Sequence, residues 1–255
     1  MDPATLIGIL LAFVIVVVVN VMEGGNPMAM ILIPPMLLVF GGTLVICLAG
    51  GTMADAKLSF RGLIKAFTSP APSGAKLVPE LVTLADKARR EGLLALEDYV
   101  SDLEDPFLVK ALTMAIDGTD PEELRDILEA EVHAKKAETK QAAKFWNSAG
   151  GYAPTIGIVG TVMGLIHVLE QLAQPEKLGH LIAGAFVATL WGVLSANAIF
   201  LPVGARITRL GELEVAQMEL VIEGVGALQA GSNPRLVAQR LRSLLPASQR
   251  EEEAA

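Results

Sequence analysis

Long apolar runs alternate with polar stretches along this chain, and the alternation is its strongest signal. Pro3 to Met22 is apolar almost throughout, and the turn Glu23-Gly-Gly-Asn-Pro27 separates it from a second run, Met28 to about Ala49. Two more runs lie between Pro154 and Pro202, parted by the short polar break around Ala173–His180. Each of these two is about twenty residues long, enough to cross a bilayer core as a helix. The pattern predicts an all-α membrane protein with four transmembrane helices. A helical insert lies between the second and third helices, and a helical tail follows the fourth. The segments are 1–50 for helices one and two, 51–151 for the insert, 152–202 for helices three and four, and 203–255 for the tail. Pro34-Pro35 falls inside the second run and predicts a kink there, because each proline removes a backbone donor.

The insert changes period. Leu77 to Tyr99 alternates apolar and charged residues at helical spacing, with a break at Gly92. Pro106 opens another helix, Phe107 to Ile116. Asp120-Pro-Glu-Glu123 is a helix start, with Asp as the N-cap, Pro in the first position and Glu in the third. That helix is expected to run through Leu124, Leu128 and Val132 to about Trp146. In the tail, Leu210, Leu213, Met218, Val221, Val225 and Leu228 mark one side of an amphipathic helix over Ile207–Leu228. Asn233-Pro234 starts a last short helix, and the end Gln249–Ala255 is expected to fray.

Composition fixes the class. The chain is 52% hydrophobic but only 5% aromatic, too apolar for a soluble domain of 255 residues. A net charge of −8 argues against nucleic acid as the main partner. The single cysteine, Cys47, lies in an apolar run, so no intramolecular disulfide forms. The first run has neither a basic leader nor a small-residue cleavage site, which reads as a retained span. Thirteen of the 20 Lys and Arg residues fall in the insert and six in the tail, while the turn at Glu23–Pro27 has none. The positive-inside rule then puts the insert and both termini in the cytoplasm. Lys135, Lys136, Lys140 and Lys144 precede the third span and suit anionic headgroups of the membrane lipid.

The membrane hairpin carries no acid or base at the centre of either span. Thr161 and Thr189 fall near the middle of their spans at similar depth. Such hydroxyls hydrogen-bond a neighbour's carboxylate, coordinate a dehydrated cation, or bond back to their own helix carbonyls. Gly157, Gly160 and Gly164 form a small-residue face that lets helices approach closely. Pro154 and Pro202 mark the cytoplasmic ends of the two spans, as simple terminators or as a pair of hinges. No nucleophile–base set, metal cluster or phosphate loop stands out, so an enzyme is not expected and no cofactor is called for.

Pro154-Thr-Ile-Gly-Ile-Val-Gly-Thr-Val-Met-Gly-Leu-Ile, Ala185-Phe-Val-Ala-Thr-Leu-Trp-Gly and Ala196-Asn-Ala-Ile-Phe-Leu-Pro202 resemble the MotA/PomA subunits of the bacterial flagellar stator. Arg89-Arg-Glu-Gly-Leu-Leu-Ala-Leu-Glu97 and Asp117-Gly-Thr-Asp-Pro-Glu-Glu-Leu-Arg125 are similar to that family as well. The resemblance implies an ion-driven, torque-generating subunit in the inner membrane. It implies five copies around a MotB/PomB-like single-span partner that carries the ion-binding aspartate, and an insert that pushes on a FliG-like rotor protein. It matches Arg89 and Glu97 to the rotor-facing charged pair, with Arg90 beside them. The spacing of seven from Arg90 to Glu97 suggests one helix face. Pro154 and Pro202 match the prolines at the channel mouth, and Thr189 the threonine of span four. The coupling ion is a proton or sodium. Thr161 resembles the sodium type, whereas Ala188 departs from it and His167 looks like the proton-driven branch.

Two other readings compete. One is an ExbB/TolQ-like energiser of outer-membrane processes, a group that usually has three spans and a longer external N-terminus. The other is a membrane scaffold without ion flow, indifferent to loss of the midplane hydroxyls.

Overall fold

The computed structural model describes residues 4–246 and 249–250. Among these, all regular structure is helical. Helix α1, Ala4–Met22, buries none of its residues against the rest of the chain. A helix apolar all round and unburied needs an apolar solvent. Gly24, at φ 79°, turns the chain, and Asn26 accepts from the Met28 N–H at 3.0 Å to cap a 3-10 turn over Pro27–Met30.

The second span corrects the expectation. Helix α2, Ile33–Ala49, starts only at Ile33, so Pro34 and Pro35 lie in its first turn. There the missing N–H groups would have had no helical partner, and proline helps to begin the helix instead of bending it. The irregularity lies one turn further on, where Leu37–Gly41 is wound as a π turn.

Helix α3, Met53–Thr68, begins with a capping box in which Thr52 and Asp55 each bond the other's backbone. The insert continues with α4, Leu77–Glu91, the short α5, Glu97–Val100, and α6, Pro106–Ile116. Two long helices follow, α7 over Pro121–Glu170 and α8 over Pro175–Gln229, and then α9, Pro234–Leu244. The expected stop near Trp146 is absent, because α7 continues through Pro154. Nor does Pro202 end a helix. Ala196–Phe200 forms a π turn just before it, and the Leu201 N–H reaches back five residues to the Ala196 carbonyl. The wider turn makes room for the proline ring, which would otherwise press on the carbonyl four residues back. Both prolines therefore sit inside continuous helices, and the terminator reading fails.

The helices form two compact units. The first comprises the described residues up to Pro70 together with Thr139–Thr208. Through it runs a chain of ring contacts, Phe13–Trp191–Phe40–Phe200–Trp146, which ends on Phe60 and Phe145. The two indole N–H groups are both used: Trp146 donates to the Ser59 carbonyl at 3.0 Å and Trp191 to the Met30 carbonyl at 2.7 Å. Among the described residues three apolar helices are long enough to span a membrane, and α2 is a shorter one.

The second unit comprises Ala71–Glu138 and the described residues from Arg209 onward. Its core is built on Leu81, Leu96, Leu108, Leu112, Leu128, Val221 and Val225, all fully enclosed. Each such side chain contributes about 1.5–3 kcal/mol by leaving water. The expected cap is in place, Asp120 accepting from the Glu122 N–H at 2.9 Å; Asn233, at the expected start of the last helix, accepts from Arg235 at 3.0 Å, and Asp105 caps the helix opened by Pro106, accepting from Phe107 at 2.8 Å. Of the four lysines assigned to the lipid surface, Lys135 and Lys136 pair inside this unit, with Glu214 and Glu138 and with Glu219 respectively. Burial pulls the Lys135 ammonium down, but the bonds from Glu214 and Glu138 outweigh it and the net shift is upward. Of the expected frayed end, residues 251–255 lie outside the described residues.

Glu80 stands in the first turn of α4, and its pKa is raised by burial and by the neighbouring Asp105 and Glu104. A carboxyl held above its unfolded value binds its proton more tightly when folded. It therefore favours the fold in acid and loses that contribution as pH rises through its folded pKa. Glu80→Gln is expected to raise thermal stability at neutral pH and to leave it nearly unchanged in mild acid. Melting curves at the two pH values check this.

Candidate functional site

The hairpin of α7 and α8 in the first unit is built on small residues. A Cβ added to Gly157 would stand 2.8 Å from the Ala188 carbonyl oxygen and 3.1 Å from the Gly192 Cα. One added to Gly192 would stand 2.7 Å from the Ala153 carbonyl. Gly160 and Gly164 face Ala188 and Ala185 just as closely, at 2.7 Å each. The approaches at Gly157 and Gly192 are backbone to backbone, and those at Gly160 and Gly164 meet alanine Cβ atoms, which cannot swing away to relieve them. The glycine face is thus a packing seam between the two helices.

The seam brings Thr161 and Thr189 into direct contact. Their hydroxyls are hydrogen-bonded to each other. Thr161 Oγ1 also lies 3.1 Å from the Gly157 carbonyl and 3.0 Å from the Ala185 carbonyl across the seam, and Thr189 Oγ1 lies 3.5 Å from the Gly157 carbonyl. Four oxygens converge, but the two hydroxyls supply only two protons. Thr161 therefore donates to one carbonyl and accepts from Thr189, or the reverse. In this state both hydroxyls are committed within the seam. To bind an incoming carboxylate or cation they must give up a cross-helix bond. Both side chains are only half-buried, so an incoming group has access. No Asp, Glu, Lys, Arg or His occurs from Pro154 to Ile166 or from Leu181 to Pro202. Among the described residues no cluster of three or more His, Cys, Asp or Glu side chains could hold a metal ion.

Toward the other end of the hairpin, α2, α7 and α8 enclose an apolar cleft of about 400 Å³ lined by Pro34, Pro35, Leu38, Met163, His167 and His180, among others. His167 Nδ1 is 3.1 Å from Glu170 Oε2, one turn along α7. Sequence reasoning passed over Thr43, whose side chain is fully enclosed and whose Oγ1 has no partner among the described residues. It follows a glycine pair just past the π turn of α2, and nothing in its spacing marks it. Ser195, also enclosed, bonds the Gly192 carbonyl at 3.4 Å.

The charged residues of the insert belong to the second unit. Arg89, Arg90 and Glu97 are all exposed. Arg90 pairs with Asp86 on its own helix at 2.8 Å. The expectation that Arg90 and Glu97 share one helix face fails. Helix α4 ends at Glu91 and Gly92 takes φ 88°, a region that glycine enters without steric cost, so the two residues stand on separate helices. Beside them, Lys87 Nζ stands 3.5 Å from the centre of the Tyr99 ring.

Residues 100–220 match the MotA/TolQ/ExbB proton channel family. The chain is 37% identical over 253 residues to motility protein A of Bacillus subtilis (strain 168), covering 98% of this chain and 93% of that one. Among solved structures, C. jejuni MotAB superposes with a TM-score of 0.93 at 31% identity over 97% of each chain. The flagellar MotAB stator complex from Bacillus subtilis does so with a TM-score of 0.89 at 36% identity, over 99% of this chain and 100% of the other.

If the seam is set by backbone contact, Gly157→Ala must part the helices and cost about 1–3 kcal/mol. Thr161→Val, nearly isosteric, should cost only about 1 kcal/mol for one lost bond. Thermal unfolding of the purified protein ranks the two, and equal losses would argue against a glycine-determined seam.

Proposed function

The chain belongs to the motility protein A branch of the MotA/TolQ/ExbB proton channel family, and we propose that it drives flagellar rotation as an ion-powered, torque-generating stator subunit. It is a membrane protein of channel type and not an enzyme. One observation carries the mechanism: the paired hydroxyls of Thr161 and Thr189 lie in a seam that holds no ionisable side chain. A charge inside a bilayer is costly and marks an ion path. With no carrier in the seam, the titrating carboxylate comes from a second protein, a single-span MotB-like partner. The MotAB composition of the solved relatives supports this.

In this reading residues 152–202 form one wall of the ion path, and several copies of the chain, five by family resemblance, surround the partner helix. The insert and both termini lie in the cytoplasm, where Arg89, Arg90 and Glu97 meet charges on a FliG-like rotor protein. When the partner's carboxylate is charged, Thr161 and Thr189 turn a hydroxyl toward it. When it is neutralised, they return to each other and to the Gly157 and Ala185 carbonyls. Pro154 and Pro202, each inside an unbroken helix, are the points where a backbone bond is missing and bending costs least. The ion is a proton or sodium. Two hydroxyls and two carbonyls supply part of a sodium shell, whereas a proton needs only the carboxylate. The ExbB/TolQ-like alternative is not favoured, because the match to motility protein A covers 98% of the chain, including the opening hairpin.

A strain lacking this chain should lose motility and regain it on complementation; normal swimming without it overturns the reading. Exchanging the charges, Arg89→Glu with Glu97→Arg, is expected to reduce swimming under load while leaving membrane assembly intact. Swimming speed against external sodium at fixed pH then identifies the ion: independence from sodium removes the sodium branch.

A further inference from the structure

Thr43 stands on α2 with its side chain fully enclosed and, among the described residues, no hydrogen-bond partner for its Oγ1. A threonine inside a helix commonly donates to the carbonyl four residues back. Thr68, Thr83, Thr113 and Thr208 all do so, at 2.8 to 3.1 Å. Thr43 does not. The carbonyl it would use is that of Val39, which already accepts from the Gly42 N–H where the π turn of α2 ends. Burying a hydroxyl without a bond disfavours the conformation in which it occurs. A valine of nearly the same shape would avoid that cost.

Contacts on either side of Thr43 place it. Leu38 and Gly42 face α7: a Cβ on Gly160 would meet the Leu38 side chain at 3.0 Å, and one on Gly42 the Ile156 side chain at 3.5 Å. The two helices run in opposite directions, so Thr43, the next residue, is level with Thr155 and Pro154. Phe40 faces away from these, to Trp191 and Phe200 of α8. Thr43 falls between the two directions, about 100° around α2 from Gly42. It shares this inward stripe with Val39 and Cys47, which are also buried. In α7, Pro154 has no N–H, so the carbonyl of the buried Gly150 lacks its ordinary donor. Ser195, enclosed on α8, is already bonded to the Gly192 carbonyl. A donor without an acceptor thus lies close in depth to an acceptor without its ordinary donor.

We propose that Thr43 is a positioning residue for the ion-driven stroke, a latch for α7: when that helix bends at Pro154, the Thr43 hydroxyl takes the Gly150 carbonyl as its acceptor. A bend away from the proline ring widens the gap to that carbonyl and turns it off the helix axis. In the present conformation Thr43 does not reach it. In the bent one, a single bond satisfies both groups. The unbent form carries the penalty of the enclosed hydroxyl and the bent form is relieved of it, so the hydroxyl shifts the balance between them toward bending. Thr161, about two turns beyond Pro154, meets the ion. Thr43 touches no ion and sets how readily α7 answers. The inference rests on the reading of Pro154 as a hinge.

The test compares Thr43→Val with Thr43→Ser in the full chain, reconstituted into nanodiscs and followed by amide hydrogen exchange. Without the hydroxyl the bent form is disfavoured, so Thr43→Val should slow exchange over residues 151–157 by roughly fivefold, the worth of one hydrogen bond. Exchange in α6 should not change, and the melting temperature should not fall. Thr43→Ser keeps the hydroxyl and should exchange like the unsubstituted chain. A threonine that only fills space predicts the opposite sign, faster exchange and earlier melting on replacement. Unchanged or faster exchange over residues 151–157 in Thr43→Val therefore overturns the proposal, and so does Thr43→Ser behaving like Thr43→Val. In a strain lacking the chain, Thr43→Val should restore slower swimming under load than Thr43→Ser; equal speeds overturn the link to the stroke. If even the unsubstituted chain restores no swimming, the stator reading falls, and the exchange result still decides for or against the latch.

Discussion

Everything in the membrane hairpin depends on two backbones touching. Gly157 and Gly192 face each other so closely that a single Cβ on either would strike a carbonyl or an α-carbon of the opposite helix. In lipid no hydrophobic force presses helices together, so close approach and polar contacts across the seam must hold them. The approach also sets the chemistry. It is short enough for Thr161 to reach the Ala185 carbonyl, and so for two hydroxyls and two carbonyls to share one place. The site is a by-product of the packing, and a looser seam would leave two isolated threonines bonded to their own helices.

A different material fills the interior of this unit. The chain has only 8 Phe, 2 Trp and 2 Tyr, yet Phe13, Phe40, Phe60, Phe145, Trp146, Trp191 and Phe200 join in one run of ring contacts. The run crosses both π turns, at Phe40 and at Phe200. Small residues thus line the face where helices must touch and hydroxyls must meet. Large flat ones fill the face where irregular turns leave unequal gaps.

Local signals were legible in the sequence. Asp120 and Asn233 cap helices where the sequence starts them, because a side chain one to three residues from a free N–H needs no help from the rest of the fold. Gly92 broke its helix for a similarly local reason. The prolines were not legible. Pro34 and Pro35 begin a helix, while Pro154 and Pro202 sit within helices, and the choice depends on neighbours that cover the lost backbone bond. For the threonines, counting residues gave depth but not direction around the helix. Direction came from the seam. Thr43, enclosed and without a bonding partner among the described residues, had no signal at all, since burial is a property of what surrounds it.

The π turn at Ala196–Phe200 accommodates Pro202, but it also does something to α8 as a whole. It spends one residue more than an α turn, and one residue is about 100° of rotation. Every side chain beyond Phe200 is therefore turned by that angle from where uninterrupted periodicity would put it. The sequence of α8 is written in two phases, one for the face that holds Thr189 and Gly192 and another for the face that begins at Val203 and Ile207. The extra residue works as an angular offset, through which a single continuous helix points two faces in directions that its 3.6-residue repeat alone would not allow.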